Sequence, residues 1–330
     1  GYGELRSAIS DKLRIENGLD YSKDEVIVSV GAKQALCNTI LSLVNSGDEV
    51  IIPTPCWVSY GEMVKLAEGT PIYIKTDAAS GYKLSAAQLG SAITDRTKAI
   101  ILCSPNNPTG SVYGMDELAS LVEVLRDRPY IYIISDEIYE HINYVGLHHS
   151  IASFEEVRDR VIIVNGVSKS YAMTGYRIGW LASKSSLLVS SCKKLQGQYL
   201  TSACSVSQKG AEAAYRGSQD CVREMCAEFM RRRDLIMSLI CEIPYIRCLK
   251  PDGAFYIFPD VSAYFGKKYN GKEICTSDDM TEYLLDVAHV AVVSGSAFGD
   301  DNCIRLSYAT SERNIREGVC RIKSALQELL

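Results

Sequence analysis

Histidine is scarce in this chain, with four residues in 330, two of them adjacent at His148 and His149. So few imidazoles argue against a histidine-based centre, and no metal site is expected. No stretch approaches the roughly 20 apolar residues of a membrane-spanning helix, so no membrane partner is expected. Blocks of basic residues are also missing, and the formal net charge is −5. That balance argues against nucleic acid as a partner. Cysteine is plentiful at twelve, but the residues are scattered and never form a C-x-x-C pair. Several lie in apolar runs, as Cys103 does at the end of Ala99-Ile100-Ile101-Leu102. They read as reduced thiols of a cytoplasmic protein rather than as disulfides or metal ligands. The chain opens on Gly1-Tyr2-Gly3 with neither an initiator methionine nor a signal peptide, so it reads as processed or as starting inside a domain.

A hydrophobic content of 47% over this length is enough for a large core and two domains. Helical spacing marks residues 4–16, 32–44, 58–67 and 115–126. Short apolar runs mark strands at 26–30, 49–53, 71–75, 98–103, 130–135, 160–165 and 177–183. Strands interleaved with helices predict an α/β fold, with a mostly parallel central sheet covered by helices on both faces. A long helical stretch follows over about 205–240, broken near Gly217, and the pattern then shortens into an α+β region ending in a helix over 312–330. The expected division is a large domain over 1–236 and a small carboxyl-terminal domain over 237–330.

The most informative segment is Ser168-Lys169-Ser170-Tyr171-Ala172-Met173-Thr174-Gly175-Tyr176-Arg177. A lysine that loses its proton can form an imine with a carbonyl. An arginine nearby grips phosphate oxygens in pairs through its planar fork. A carbonyl and a phosphate on one small molecule describe pyridoxal phosphate. In a parallel sheet, ligands gather outside the carboxyl ends of the strands, and the other informative residues fall there. Gly31-Ala32-Lys33 lies between a strand and a helix, where it reads as a tight turn or as an anion cradle. Trp57 follows the next strand and reads as core or as a plate for a flat ring. Asn107, in Asn106-Asn107-Pro108-Thr109-Gly110, reads as a turn residue or as an amide donor. Asp136 reads as the cap of a following helix or as the partner of a protonated ring nitrogen. Tyr139, a step beyond, is placed to hydrogen-bond a phenolic oxygen.

In order and spacing, the segments VGAKQAL, PCWVSY, SPNNPTG, SDEIYEHI, NGVSKSYAMTGYRIGW, PDGAFYIF and IRLSYATSE resemble those of the class I aminotransferases, pyridoxal-phosphate enzymes of the aspartate aminotransferase fold (fold type I). They are most similar to the bacterial type that acts on aspartate and, in some members, prephenate. The resemblance runs nearly end to end, and its specific parts are the lysine and NNPTG segments. It implies that Lys169 bonds covalently to the cofactor and then shuttles a proton. It implies that Asp136 pairs with the ring nitrogen, Asn107 and Tyr139 with the phenolic oxygen, and Trp57 with the ring face. Arg177, the backbone of Ala32 and Lys33, and Ser168 would hold the phosphate. Arg305, which alone reads as a solvated charge at a strand end, would bind the substrate α-carboxylate. Lys33, Trp57 and Asn107 would also meet substrate, with Lys33 facing the distal carboxylate of acidic amino acids.

The implied activity moves an amino group between aspartate or glutamate and a 2-oxo acid, in a homodimer. Two departures stand out. The family has a further segment ahead of Gly1, with an arm crossing to the partner subunit and residues completing the pocket, so the chain is expected to be incomplete. Many relatives also carry a hydroxyl three residues before the lysine, where Gly166 stands here. Three other readings share these residues: an aromatic or kynurenine aminotransferase, a carbon–sulfur lyase of the same fold, and the ligand-sensing domain of a transcription regulator.

Overall fold

The computed structural model describes residues 1–329. Its larger part is built on seven strands: β1 (Val26–Ser29), β2 (Glu49–Thr54), β3 (Thr70–Lys75), β4 (Thr97–Cys103), β5 (Tyr132–Asp136), β6 (Val161–Gly166) and β7 (Gly179–Ser183). They lie in the order β1-β7-β6-β5-β4-β2-β3. Neighbours from β3 to β6 pair in parallel, while β7 runs antiparallel to both β6 and β1. The sheet is therefore mostly parallel, with one reversed strand. Because β7 is reversed between them, β1 and β6 point the same way.

Alternation along the strands sends side chains to two cores. Val28, Ile51, Ile100, Ile133, Ile163 and Trp180 face one layer with α1 (Gly3–Asn17). Ile27, Val50, Ile101, Ile134, Val164 and Leu181 face the opposite layer with α2 (Gly31–Leu43) and α3 (Ser59–Leu66). The inward stripe of α2 comprises Ala35, Leu36, Thr39, Ile40 and Leu43, as its spacing predicts. The short α4 (Ala86–Ala92) buries only Leu89. The first core also takes α5 (Met115–Arg126) and α6 (Glu155–Arg158), and the second takes α7 (Ser186–Tyr199).

The long helical stretch is two helices, α8 (Ser205–Arg216) and α9 (Asp220–Ile240), and Gly217 is the C-cap residue of α8. From Ile236 onward a separate core gathers the end of α9, α10 (Ser277–Ala288) and α11 (Glu312–Glu328). These helices cover a three-stranded sheet of β8 (Tyr256–Ile257), β11 (Val293–Ser294) and β12 (Ile304–Ser307), while β9 (Lys268–Tyr269) and β10 (Lys272–Glu273) form a hairpin. The expected helix over 312–330 is seen to Glu328, and Leu330 lies outside the described residues. No helix among the described residues is long and apolar enough to cross a membrane.

Candidate active site

The parallel run of the sheet brings the carboxyl ends of β1, β2, β4, β5 and β6 to one edge, and reversal brings the amino-terminal end of β7 there too. A cavity of about 330 Å³ opens at that edge. All ten residues singled out in the sequence line it: Ala32 and Lys33 from the start of α2, Trp57 after β2, Asn107 after β4, Asp136 and Tyr139 at the end of β5, Ser168 and Lys169 after β6, Arg177 before β7, and Arg305 from β12.

Local conformation explains several of these placements. Gly31 has φ +78°, and a Cβ there would lie 2.5 Å from Arg177 Nη2, so this turn closes only on a hydrogen. At Gly179 a Cβ would lie 2.2 Å from the Ala32 backbone nitrogen, which lets β7 press against the amino terminus of α2. The first N–H groups of that helix have no partner within it and carry partial positive charge. Arg177 was expected inside a strand but precedes one, because its left-handed backbone (φ 55°) turns the chain before β7 starts at Gly179. Its Nη1 donates to the Thr174 carbonyl at 3.0 Å. No helix follows Asp136, so the helix-cap reading is set aside. The segment after it is a turn, in which Ile138 N–H donates to Asp136 Oδ1 at 3.2 Å.

Asp136 is buried, and burial pushes its carboxyl up to about 6 against the pull of two donors, the Tyr60 hydroxyl and the Ile138 N–H. Lys169 is partly buried, with Nζ 5.7 Å from the Tyr139 ring centroid and 5.5 Å from that of Phe255. Burial lowers its proton affinity, as do the charges of Arg177 and Arg305, while Asp136 acts the other way. Tyr139 and Tyr256 join hydroxyls at 3.0 Å. Arg305 lies over the rings of Tyr256 (4.5 Å) and Phe298 (4.8 Å), and its Nη1 donates to Asn107 Oδ1 at 3.0 Å. Its Nε is buried without a partner. Lys33 is exposed, with Nζ 4.8 Å from the Trp57 ring centroid.

Four cationic side chains thus face the cavity against one carboxylate. Such a site suits a ligand with several negative groups, and the unpartnered Arg305 Nε is a donor waiting for one. The donor set fits pyridoxal phosphate, with an amine for its carbonyl, a cationic and helix-terminal cradle for its phosphate, and a buried carboxylate for its ring nitrogen. Sequence reasoning did not single out Tyr60 or Tyr256, and it read Cys103 only as a thiol in an apolar run. For Tyr60 the available signal was its spacing of three from Trp57, on the first turn of α3.

Beyond the cavity, Glu137, Glu140 and His148 bring potential ligand atoms within 4.8 Å of one another. No motif marks this cluster, and the ammonium of Lys12 already pairs with Glu140 there.

A family model described as "Aminotransferase class I and II" matches residues 1–322. The chain is 45% identical to a Petunia hybrida protein named bifunctional aspartate aminotransferase and glutamate/aspartate-prephenate aminotransferase, a match covering 99% of this chain and 69% of that protein. It is 44% identical to a probable aspartate/prephenate aminotransferase of Rickettsia bellii, over 100% of this chain and 83% of the relative. Among solved structures, the aspartate aminotransferase of Rhizobium meliloti superposes with a TM-score of 0.96 at 42% identity, over 100% of this chain and 83% of that one. An aromatic aminotransferase of Pyrococcus horikoshii gives 0.93 at 37% identity, over 99% and 86%.

Proposed function

The chain belongs to the class I and II aminotransferases, and from that premise we propose that it moves an amino group between aspartate or glutamate and a 2-oxo acid such as 2-oxoglutarate, oxaloacetate or prephenate. When bound, pyridoxal phosphate supplies a carbonyl for amines and a protonated ring that withdraws electrons. The side chains of this protein divide the remaining work.

Lys169 Nζ, its proton affinity lowered by burial and two guanidinium groups, would supply the amine for the cofactor carbonyl and would carry a proton to and from the substrate. Asp136 holds the proton on the ring nitrogen through its negative charge. Asn107 spends its Oδ1 on Arg305, which leaves its amide N–H groups for a ligand oxygen. Tyr139 takes the same oxygen, backed by Tyr256. Trp57, on the cavity wall, would lie against the ring. Arg177, Ser168 and the first N–H groups of α2 receive the phosphate. Arg305 keeps Nε and Nη2 for the α-carboxylate in a two-pronged contact. Lys33 meets the second carboxylate of an acidic substrate. The reading extends to a cytoplasmic homodimer.

The observation that supports this assignment most is the cavity charge, four cations against one buried carboxylate, with Arg305 Nε unpartnered. The test is Lys169→Ala. The expected result is loss of any borohydride-trapped cofactor adduct and of nearly all aspartate-to-2-oxoglutarate transfer. A variant that transaminates at the wild-type rate overturns the assignment.

A further inference from the structure

Tyr60 lies on α3, outside every role assigned above, and it is 2% exposed. Its hydroxyl donates to Asp136 Oδ2 at 2.7 Å, the shorter of the two donor contacts on that carboxylate. Its ring meets Trp57 edge-on at 5.5 Å between centroids and 86° between planes. Through one hydroxyl and one ring edge, this residue touches both the carboxylate and the aromatic plate of the cavity. We infer that Tyr60 is a positioning residue, fixing Asp136 as an oriented anion toward the cavity and setting the angle of Trp57.

Charge on a buried carboxylate is costly. Asp136 sits at the end of a central strand, away from water, and its charged form persists only if its oxygens are satisfied. The groups facing it are Tyr60 from α3, Cys103 from β4, Glu137 and Tyr139 from its own turn, and Lys169 from the loop after β6. Cys103 is a buried thiol that burial pushes up, so it stays neutral and adds no cation. Glu137 repels the charge, and Lys169 favours it. Among these side chains Tyr60 makes the hydrogen bond to the carboxylate, and the Ile138 N–H makes the second donor contact. Burial and the neighbouring Asp136 charge keep the phenol itself protonated, so it remains a donor. With Oδ2 held by Tyr60 and Oδ1 by the turn, the carboxylate cannot rotate freely, which is the pre-organisation a ring-nitrogen partner requires.

This inference rests on the aminotransferase reading for its purpose, but its test begins without cofactor. In the cofactor-free chain, carbon-13 NMR reads the titration of the Asp136 carboxyl in wild type, in Tyr60→Phe, and in Tyr113→Phe as a control. Tyr113 is another buried tyrosine, whose hydroxyl accepts from the Leu84 N–H and which does not line the cavity. Losing a hydrogen bond to a charged group should raise the proton affinity of Asp136 at least about tenfold in Tyr60→Phe, and leave it unchanged in Tyr113→Phe. In the holoenzyme, Tyr60→Phe should weaken pyridoxal phosphate by about tenfold. A double-mutant cycle with Asp136→Asn should be strongly non-additive, because both substitutions remove one contact.

An Asp136 titration equal to the wild-type curve in Tyr60→Phe overturns the inference and leaves the aminotransferase reading standing. Additive effects in the cycle do the same, and the cycle also decides the matter if single-variant titrations are obscured by loss of folding. A wild-type chain that binds no pyridoxal phosphate overturns the functional reading instead, and with it the purpose assigned to Tyr60.

Discussion

Replacing Lys12 with Met should destabilise the fold and flatten its loss of stability in acid. Lys12, on α1, is 4% exposed, and its ammonium pairs with Glu140, itself 6% exposed, in the turn that carries Tyr139. Glu140 also accepts from Asn165 Nδ2 at 2.7 Å and from Asn17 Nδ2 at 3.0 Å, so one carboxylate ties α1 to the end of β6. Burial alone would raise the Glu140 carboxyl. The charges of Lys12, His141 and His148 outweigh it and hold the group well below the ordinary carboxylate range. A carboxylate depressed in the folded state adds stability above the unfolded value of about 4.3 and loses it as pH falls through the folded value. Met keeps the length of the lysine stem and removes its charge, leaving a buried carboxylate without its closest cation. The expected cost at pH 7 is about 3–5 kcal/mol. Burial then counts for more and the folded value rises, so the variant's Glu140 contributes less above the unfolded value and loses less as pH falls below it. Urea unfolding at neutral pH and at about pH 3.5, below the unfolded value, measures both quantities. A loss below about 1 kcal/mol with an unchanged pH slope would refute the account.

Two further predictions concern the cavity. Lys33→Ser should raise KM for aspartate and glutamate more than for aromatic amino acids, by about tenfold for one lost ion pair near the surface of a cleft; equal losses would remove Lys33 as the selector. Gly179→Ala should push the amino terminus of α2 outward, because its new Cβ meets backbone atoms at 2.2 and 2.3 Å rather than a side chain that can turn away. About 1–3 kcal/mol of stability and much of the phosphate affinity should go together, read by melting and by inorganic phosphate titration; an unshifted melt contradicts the close approach.

The strands and most helices of the larger part were legible because their hydrophobic periods agree with their burial. Ile27 and Val28, or Ile133 and Ile134, face opposite cores as alternation requires. The reversal of β7 was not legible, since a strand buried on both faces reads the same in either direction. Three helices were missed: α4 is seven residues long and buries one side chain, α6 is four residues long and buries only Val157, and α7 buries Cys192 and Gln196 beside Leu188 and Val189, which blurs its stripe. Nine of the ten cavity residues were legible because strand ends and the turns after them collect groups that the core would reject; Arg305, which alone reads as a solvated charge, came from the family resemblance, which also gave the others their roles. Tyr60 escaped because a tyrosine at core spacing on a helix is indistinguishable from packing until its hydroxyl is seen to meet Asp136.

Arg305 comes from β12, within the carboxyl-terminal sheet, and donates to Asn107 on the larger part across 198 positions of sequence. Any ligand gripped at once by Arg305 and by the sheet edge therefore bridges two separately packed cores. Saturation would act as a clasp: at one hundred times the dissociation constant, mass action lends the bound form about 2.7 kcal/mol, and that gain opposes separation of the halves as well as loss of the ligand. Resistance of the intact chain to proteases would then report occupancy of the site, even where no reaction is being followed.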